Sequence, residues 1–473
     1  MAKRLPDIKQ DFSQWYQELI FQAEIADQSP VRGCMVIRPY GTALWENIKD
    51  ALDKKIKETG HGNAIFPLLI PQSFLTREAE HVEGFSPELA VVTHAGGKKL
   101  EEPLVIRPTS ETIIHYMFAK WLHSWRDLPL KINQWGNVVR WEMRSRPFIR
   151  TTEIFWQEGH TAHETLEEAR QEVQMMLQQY VDLVKDYLAV PVIPGQKSEG
   201  EKFPGADETF TIEGLMPDGK ALQMGTSHQI SQNFAKAFEM SYQDRDGQLA
   251  YPYLTSWGLS TRVVGALIMV HGDEKGLVMP PKVAPVQVII VPIVKAGADN
   301  EAVLAAASSI KDKLQKDFRV HIDSDDTKSP GAKFYKWELK GVPLRVEVGP
   351  RDLEKNQAVV VDRLGLGKNP VSLTELGNYI AKQLEVIQKT MFDRAQERMK
   401  QQWHLGEKRV DFGSKLAKDG GFYQTGWCGS PECESALKEH QASIRCLLKE
   451  KKHETCFNCD KKSETDVLVA KAY

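Results

Sequence analysis

The pattern of apolar residues changes kind near residue 280, and that break limits the available folds more than any other feature. Before it, strand-like segments follow one another across short turns. Thr209 to Ile212 and Ala221 to Met224 flank Pro217-Asp218-Gly219, a hairpin signal. Strands joined this way pair antiparallel, so the N-terminal part reads as α+β. After Pro280-Pro281, strands and helices alternate: Val286 to Val294, the Ala-rich helix Glu301 to Leu314, then Arg319 to Ile322, Leu344 to Val348 and Ala358 to Val361. That alternation indicates a small α/β domain. A chain of 473 residues is too long for one core. The expected units are 1–280, 281–371, a linking helix over 372–409 and a small α+β domain over 410–473.

Local signals fill in the first unit. Phe12, Trp15, Tyr16, Leu19, Ile20 and Ala23 share one face of an expected helix. Leu44, Ile48, Leu52 and Ile56 mark a second, with Thr42 as its expected N-cap and Gly60 and Gly62 beyond its end. Ala64 to Ile70 reads as a strand carrying Pro67, which implies an edge or an interface because proline has no N–H for the ladder. Further strands are expected at Leu104 to Ile106, Asn137 to Met143 and Glu153 to Trp156. Thr161 and Glu164 fit a capping box before a long amphipathic helix, and Ser372 and Glu375 fit another before the linking helix. The basic stretch Arg394 to Arg409 reads as a solvated face of that linker.

Of six cysteines, five lie between Cys428 and Cys459. Cys428-x4-Cys433-x22-Cys456-x2-Cys459 has the spacing of a four-thiolate zinc site, closed and therefore structural, with Cys446 as an alternative fourth ligand. Crowding at one end favours a metal site over a disulfide framework and a reducing cytoplasm as the compartment. Met1 to Phe12 lacks an apolar segment of signal-peptide type. No apolar run approaches the ~18 residues of a membrane span. The net charge of −3 supplies no chain-wide cationic field, so a polyanionic partner would have to meet a local patch.

There is no G-x-x-x-x-G-K-[ST] loop and no G-x-G-x-x-G after a strand, so a bound nucleotide would be held by side chains. Three segments could do it: Arg107-Pro108-Thr109-Ser110-Glu111-Thr112; Arg140-Trp141-Glu142 through Arg150-Thr151 to Phe155-Trp156-Gln157-Glu158-Gly159-His160; and Thr255-Ser256-Trp257-Gly258-Leu259-Ser260-Thr261-Arg262. The second and third resemble motifs 2 and 3 of the class II aminoacyl-tRNA synthetases, and the helix and strand ending at Pro67 resemble motif 1, the dimer interface of that class. With Gly225-Thr226-Ser227-His228, the first segment and the Trp156 to His160 run are similar to prolyl-tRNA synthetases. The resemblance covers essentially the whole chain.

It implies a class II catalytic domain with an antiparallel sheet, an α/β anticodon-binding domain and a zinc-binding C-terminal domain. The implied activity is ATP-dependent joining of L-proline to tRNA(Pro) by a cytoplasmic homodimer. Activation brings a carboxylate against the α-phosphate of ATP, so fixed cations are needed and no covalent enzyme bond is. Arg140 would bridge carboxylate and α-phosphate, Arg262 would lie against the γ-phosphate or adenine, and Arg150 would be a third cation. Glu142 would accept from adenine or hold Arg140. Thr151, Ser260, Gln223 and Thr226 complete the implied ATP site, the last two near Mg²⁺ and ribose. Thr109 and Glu111, two apart on an extended segment, offer acceptors for the secondary ammonium of proline. Trp156, Phe203 and His228 would wall its ring, and Glu158 and His160 complete the pocket. Glu338, Arg345 and Arg351 are the expected anticodon contacts. His160 to Ser256 leaves no room for an inserted editing domain, which suggests the archaeal/eukaryotic-type branch.

Taken singly, each residue has a plainer reading. Thr109 and Glu111 can cap a helix; Trp156 and Phe203 can be core; His228 can be structural; Glu338, Arg345 and Arg351 can be surface charges. A threonine-specific enzyme would need a pocket metal or polar groups in place of the aromatic slot. A non-catalytic relative would lack the phosphate-binding arginines.

Overall fold

The computed structural model describes residues 4–75, 89–294 and 300–473. Its main feature is one long, mostly antiparallel sheet. From one edge the order is Gly62–Asn63, Leu130–Val139, Glu153–His163, Tyr253–Ser260, Ala221–Ser231, Glu208–Leu215 and Ile193–Gln196. The sheet does not stop there. A single pairing of Leu447 with Gln196 carries it into the C-terminal strands Ala442–Leu448, Thr465–Lys471, Phe422–Trp427 and Trp403–Leu405. A buried ion cluster reinforces this seam. Glu213 accepts from Lys197 Nζ at 2.9 Å and from Arg445 Nε at 3.1 Å, and all three side chains are buried.

The helices Phe12–Gln22, Pro39–Glu58, Leu166–Asp186 and Arg262–His271 share one core with the sheet. Their apolar stripes turn inward as the periodicity requires: Leu44, Ile48, Leu52 and Ile56 are all fully buried. A separate core lies in the α/β unit. There Val320–Ile322, Val288–Pro292 and Leu344–Val348 run parallel, and Gln357–Asp362 and Lys368–Ser372 add two antiparallel strands. The helices Glu301–Leu314 and Pro330–Leu339 pack against this sheet. Arg363 ties the unit to the catalytic body through a two-pronged pair with Asp273.

Several local expectations are corrected. The N-cap of Pro39–Glu58 is Arg38, because Pro39 takes the first helical position; Thr42 lies inside the helix and donates to Ile37 O. Within 64–70 only Leu69 and Ile70 enter a strand, Leu69–Pro71; Pro67 lies in the preceding loop. The strand expected through Met143 ends at Val139. The capping box of Leu166–Asp186 is Thr165 with Glu168, since Thr161 is held in the strand Glu153–His163. The linking helix is Leu376–Gln401 with N-cap Glu375; Ser372 belongs to a strand. Within its basic stretch, Arg398 is not merely solvated: it donates to Val270 O at 2.6 Å, satisfying a carbonyl at the end of Arg262–His271.

Candidate active site

A cavity of about 540 Å³ lies over the strands Glu153–His163, Ala221–Ser231 and Tyr253–Ser260. Side chains alternate along a strand, so Ile154, Trp156, Glu158 and His160 all face it, as do Ser256, Gly258 and Ser260. Three arginines reach it from different elements. Arg140 follows the strand Leu130–Val139, Arg150 ends the loop before the next strand, and Arg262 opens the helix Arg262–His271.

Backbone carbonyls aim these cations. Arg262 Nε donates to Ile149 O at 3.1 Å and Nη1 to Gln223 O at 3.2 Å. Among the described residues Nη2 has no protein acceptor, so one edge of the guanidinium is left toward the cavity. Burial, and then the charge of Arg140, lower the Arg262 pKa to about 10. A half-buried cation beside further cations is a site that an anion would stabilise. Arg140 Nε donates to Pro108 O at 3.0 Å and its guanidinium lies 5.9 Å from the Trp156 ring. Glu142 pairs with Arg150, not with Arg140 as one expectation had it, and accepts from the Arg144 N–H at 2.7 Å. The Arg144 N–H first, and Arg150 after it, keep its carboxyl below the usual range. Thr151, Gln223, Thr226 and Ser260 line the same cavity.

At the other end Thr109 donates to the Glu111 carboxylate, and both are buried. They are not on an extended segment as expected: Glu111 is the first residue of the helix Glu111–Trp121, with Ser110 at its N-cap. A carboxylate at a helix N-terminus is favoured by the peptide dipoles. Glu158 accepts from Ser110 Oγ at 2.5 Å and Gln134 Nε2 at 2.8 Å, and lies 3.1 Å from His160 Nε2. It therefore organises the floor of the cavity. The Phe203 and His228 rings lie tilted against each other with centroids 4.6 Å apart, and Trp156 lines the same cavity. Burial lowers the His228 pKa to about 4, so the ring is neutral near pH 7. Trp156 Nε1, His160 Nδ1 and Ser256 Oγ are buried and have no hydrogen-bond partner among the described residues. Orphaned polar atoms around one cavity suit a polar ligand.

The residues expected to form the proline and ATP sites thus line one cavity. Residues given no individual role from the sequence, Thr209, Lys202, Trp257 and Tyr473, line it too. Tyr473 is held by its hydroxyl on Asp218, at 2.7 Å, and by its N–H on Ala221 O. The glycine at 159 makes room for Trp257, whose ring occupies the space a Cβ there would fill.

The expected anticodon residues lie away from this cavity. Arg345 rests over the Phe334 ring at 4.0 Å and pairs with Glu347 at 2.9 Å. Glu338, on the same helix as Phe334, pairs with Lys275 of the catalytic body at 3.2 Å. Arg351 is exposed on the short helix Pro350–Leu353. The sulfurs of Cys428, Cys433, Cys456 and Cys459 all lie within 4.8 Å of one another, a set that can hold a metal ion. Cys446 is outside that group, buried against the strand Thr465–Lys471, with its thiol pKa pushed up to about 12 by burial.

Comparison with known proteins matches this layout. Residues 93–271 match the family described as tRNA synthetase class II core domain (G, H, P, S and T), residues 287–383 an anticodon binding domain, and residues 410–473 the prolyl-tRNA synthetase C-terminal family. The "Proline--tRNA ligase 2" of Clostridioides difficile is 50% identical across the whole of this chain and 98% of its own length. The "Proline--tRNA ligase" of Acetoanaerobium sticklandii shows the same identity and coverage. Among solved structures, prolyl-tRNA synthetase of Cryptosporidium parvum with halofuginone and AMPPNP superposes with a TM-score of 0.94 at 42% identity, over 99% of both chains. The same enzyme with L-proline and AMP gives 0.93 at 40% identity.

Proposed function

The chain belongs to the prolyl-tRNA synthetase family, and from that premise we infer that its 540 Å³ cavity is where proline and ATP are joined. The activity is ATP-dependent formation of prolyl-adenylate, followed by transfer of proline to tRNA(Pro). The observation that carries the site assignment is the convergence of Arg140, Arg150 and Arg262 on a cavity whose other end holds the Thr109–Glu111 pair.

In the first step a carboxylate oxygen of proline attacks the α-phosphorus, and the bond to the leaving pyrophosphate breaks. Arg140 stands between the two ends, so its guanidinium serves the carboxylate and the α-phosphate together. Arg262, aimed by two carbonyls, takes the far phosphates or adenine. Glu142 fixes Arg150 beside them. Thr109 and Glu111 take the two N–H donors of the secondary ammonium, while Trp156, Phe203 and His228 close on the ring. Glu158 and His160 support that pocket. Gln223, Thr226, Thr151 and Ser260 line the nucleotide end. Mg²⁺ arriving with ATP would neutralise phosphate charge there. In the second step a terminal ribose hydroxyl of the tRNA attacks the adenylate carbonyl and AMP leaves; positioning and fixed charge supply the catalysis.

The metal site is read as structural zinc. Tetrahedral thiolates about 2.3 Å from zinc lie about 3.8 Å apart, and Cys428 sits 3.8 Å from Cys433 and 3.6 Å from Cys459. Four protein ligands leave no open position. Glu338, Arg345 and Arg351 are read as anticodon contacts, with Glu338 exchanging Lys275 for a guanine edge. A homodimer through the segment around Pro67 is supported by exposed Ile65, Leu68 and Leu69. Arg107 holds the carbonyls of Phe66 and Pro67 and so fixes that segment outward. The compartment is read as cytoplasmic; among the described residues no helix is long and apolar enough to cross a membrane.

Proline-dependent exchange of pyrophosphate into ATP tests the assignment. Proline should stimulate it, threonine should not, and Arg140→Ala should abolish it. Exchange driven by threonine, or intact in Arg140→Ala, would overturn it.

A further inference from the structure

Thr209 sits directly opposite His228 in the antiparallel pairing of Glu208–Leu215 with Ala221–Ser231. Residues opposed in this way point to the same face. Its hydroxyl oxygen lies 3.0 Å from His228 Nδ1 and also accepts the Phe203 N–H at 2.9 Å. Thr209 is buried. One hydroxyl thus fastens the backbone of one pocket wall and the ring of the other, whose rings pack tilted against each other at 4.6 Å.

The proton count settles which way the histidine contact runs. The threonine oxygen carries one proton of its own, and His228 Nδ1 is the one acceptor the described residues offer it. If Nδ1 carried a proton and donated, the hydroxyl hydrogen would be buried with no acceptor, a cost that buried polar groups avoid. The hydroxyl therefore donates to Nδ1, and the single ring proton of the neutral imidazole lies on Nε2. That ring borders the cavity that also holds Glu111. A cationic ring there would repel the ammonium of a bound amino acid; a neutral ring with a fixed Nε2–H does not.

We propose that Thr209 is the positioning residue of the amino-acid pocket, holding Phe203 in place and fixing His228 as the neutral Nε2–H tautomer, so that the slot is shaped for a compact ring bearing a secondary ammonium. The proposal rests on the reading of this end of the cavity as the proline site. It assigns to Thr209 a part in specificity without contact with the reacting atoms.

The test is Thr209→Val, nearly the same shape without the hydroxyl, beside Thr209→Ser, which restores it. In pyrophosphate exchange the valine variant should raise KM for proline about tenfold, the worth of a lost hydrogen bond or two, and leave KM for ATP within twofold. The preference for proline over alanine should narrow, and serine should recover both. Isotope-edited histidine NMR should show His228 as the Nε2–H tautomer in the unaltered protein and a mixture in Thr209→Val. An Nδ1–H tautomer in the unaltered protein, equal rises in both KM values, or an unchanged proline KM would each overturn the proposal. Absence of proline-dependent exchange in the unaltered protein would instead remove the functional reading, while the tautomer result would still stand or fall by itself.

Discussion

Replacing Glu213 by alanine should be among the most damaging single changes at the seam between the catalytic and C-terminal regions. The carboxylate is fully buried, as is the Lys197 side chain; Arg445 is 8% exposed. Burial by itself would raise the Glu213 pKa, yet the charges and hydrogen bonds of Lys197 and Arg445 together hold it below the usual value. Removing that carboxylate strands the buried Lys197 and leaves Arg445 only the more distant Glu201, at 3.9 Å. Breaking a buried pair in this way costs about 3–5 kcal/mol, which for a body of this size is a fall in Tm of about 5 °C. Calorimetry of Glu213→Ala at neutral pH measures it. Replacing all three residues by methionine removes the stranded charges and should recover most of the loss. The pH dependence has a definite sign. A carboxyl depressed on folding contributes stability that is complete above its unfolded pKa of about 4.3 and is lost as pH falls through the folded value. The difference between the two proteins should therefore shrink in acid. A Tm within about 2 °C of the unaltered protein, or a difference that grows in acid, would refute the reasoning.

Arg262→Lys should lower kcat/KM for ATP by about a hundredfold or more with the fold intact, because one ammonium nitrogen cannot replace the separate Nε and Nη1 that hold Ile149 O and Gln223 O and still direct a donor toward the cavity; steady-state exchange kinetics decide it, and a change under about threefold contradicts it. Gly159→Ala would place a Cβ 2.0 Å from the Trp257 ring, backed by Tyr180 and His61. Expelling that ring from the cavity floor should cost about 1–3 kcal/mol and weaken amino-acid binding, measurable by thermal melt and by KM for proline. Ile65→Glu puts charge on a side chain that is 93% exposed. Sedimentation should show the proposed dimer lost in this variant, with little change in the Tm of the protomer; an unchanged association state would contradict an interface through this segment.

What could be read from the sequence followed from how local each signal is. The helix Glu301–Leu314 and the strand Leu344–Val348 have the expected ends, because apolar period and flanking residues agree there. The cavity residues were legible because they cluster in a few contiguous segments with distinctive chemistry. Thr165-x-x-Glu168 and Thr161-x-x-Glu164 are equally good capping boxes on paper. Strand pairing through His163, with Thr161 Oγ1 bonded to Thr255 across the sheet, decided between them. Thr209 was hidden by a bulge. From the turn, Leu215 opposes Ala221, and an unbroken count would set Thr209 against Ser227; the irregularity at Ile212/Glu213 shifts the pairing by one and brings it to His228. The continuation of the sheet into the C-terminal strands runs through one pairing between Gln196 and Leu447, 251 residues apart, which no local pattern encodes. Tyr473 reaches the cavity by the same long-range route.

The central claim is that one cavity holds both reactants, and a crystal structure with a non-hydrolysable prolyl-adenylate analogue tests it most directly. The analogue should lie with its pyrrolidine ring among Trp156, Phe203 and His228, its phosphate mimic at Arg140 and its adenosine toward Arg262. Density for the analogue outside that cavity, or in it with the ring and nucleotide ends exchanged, would contradict the account.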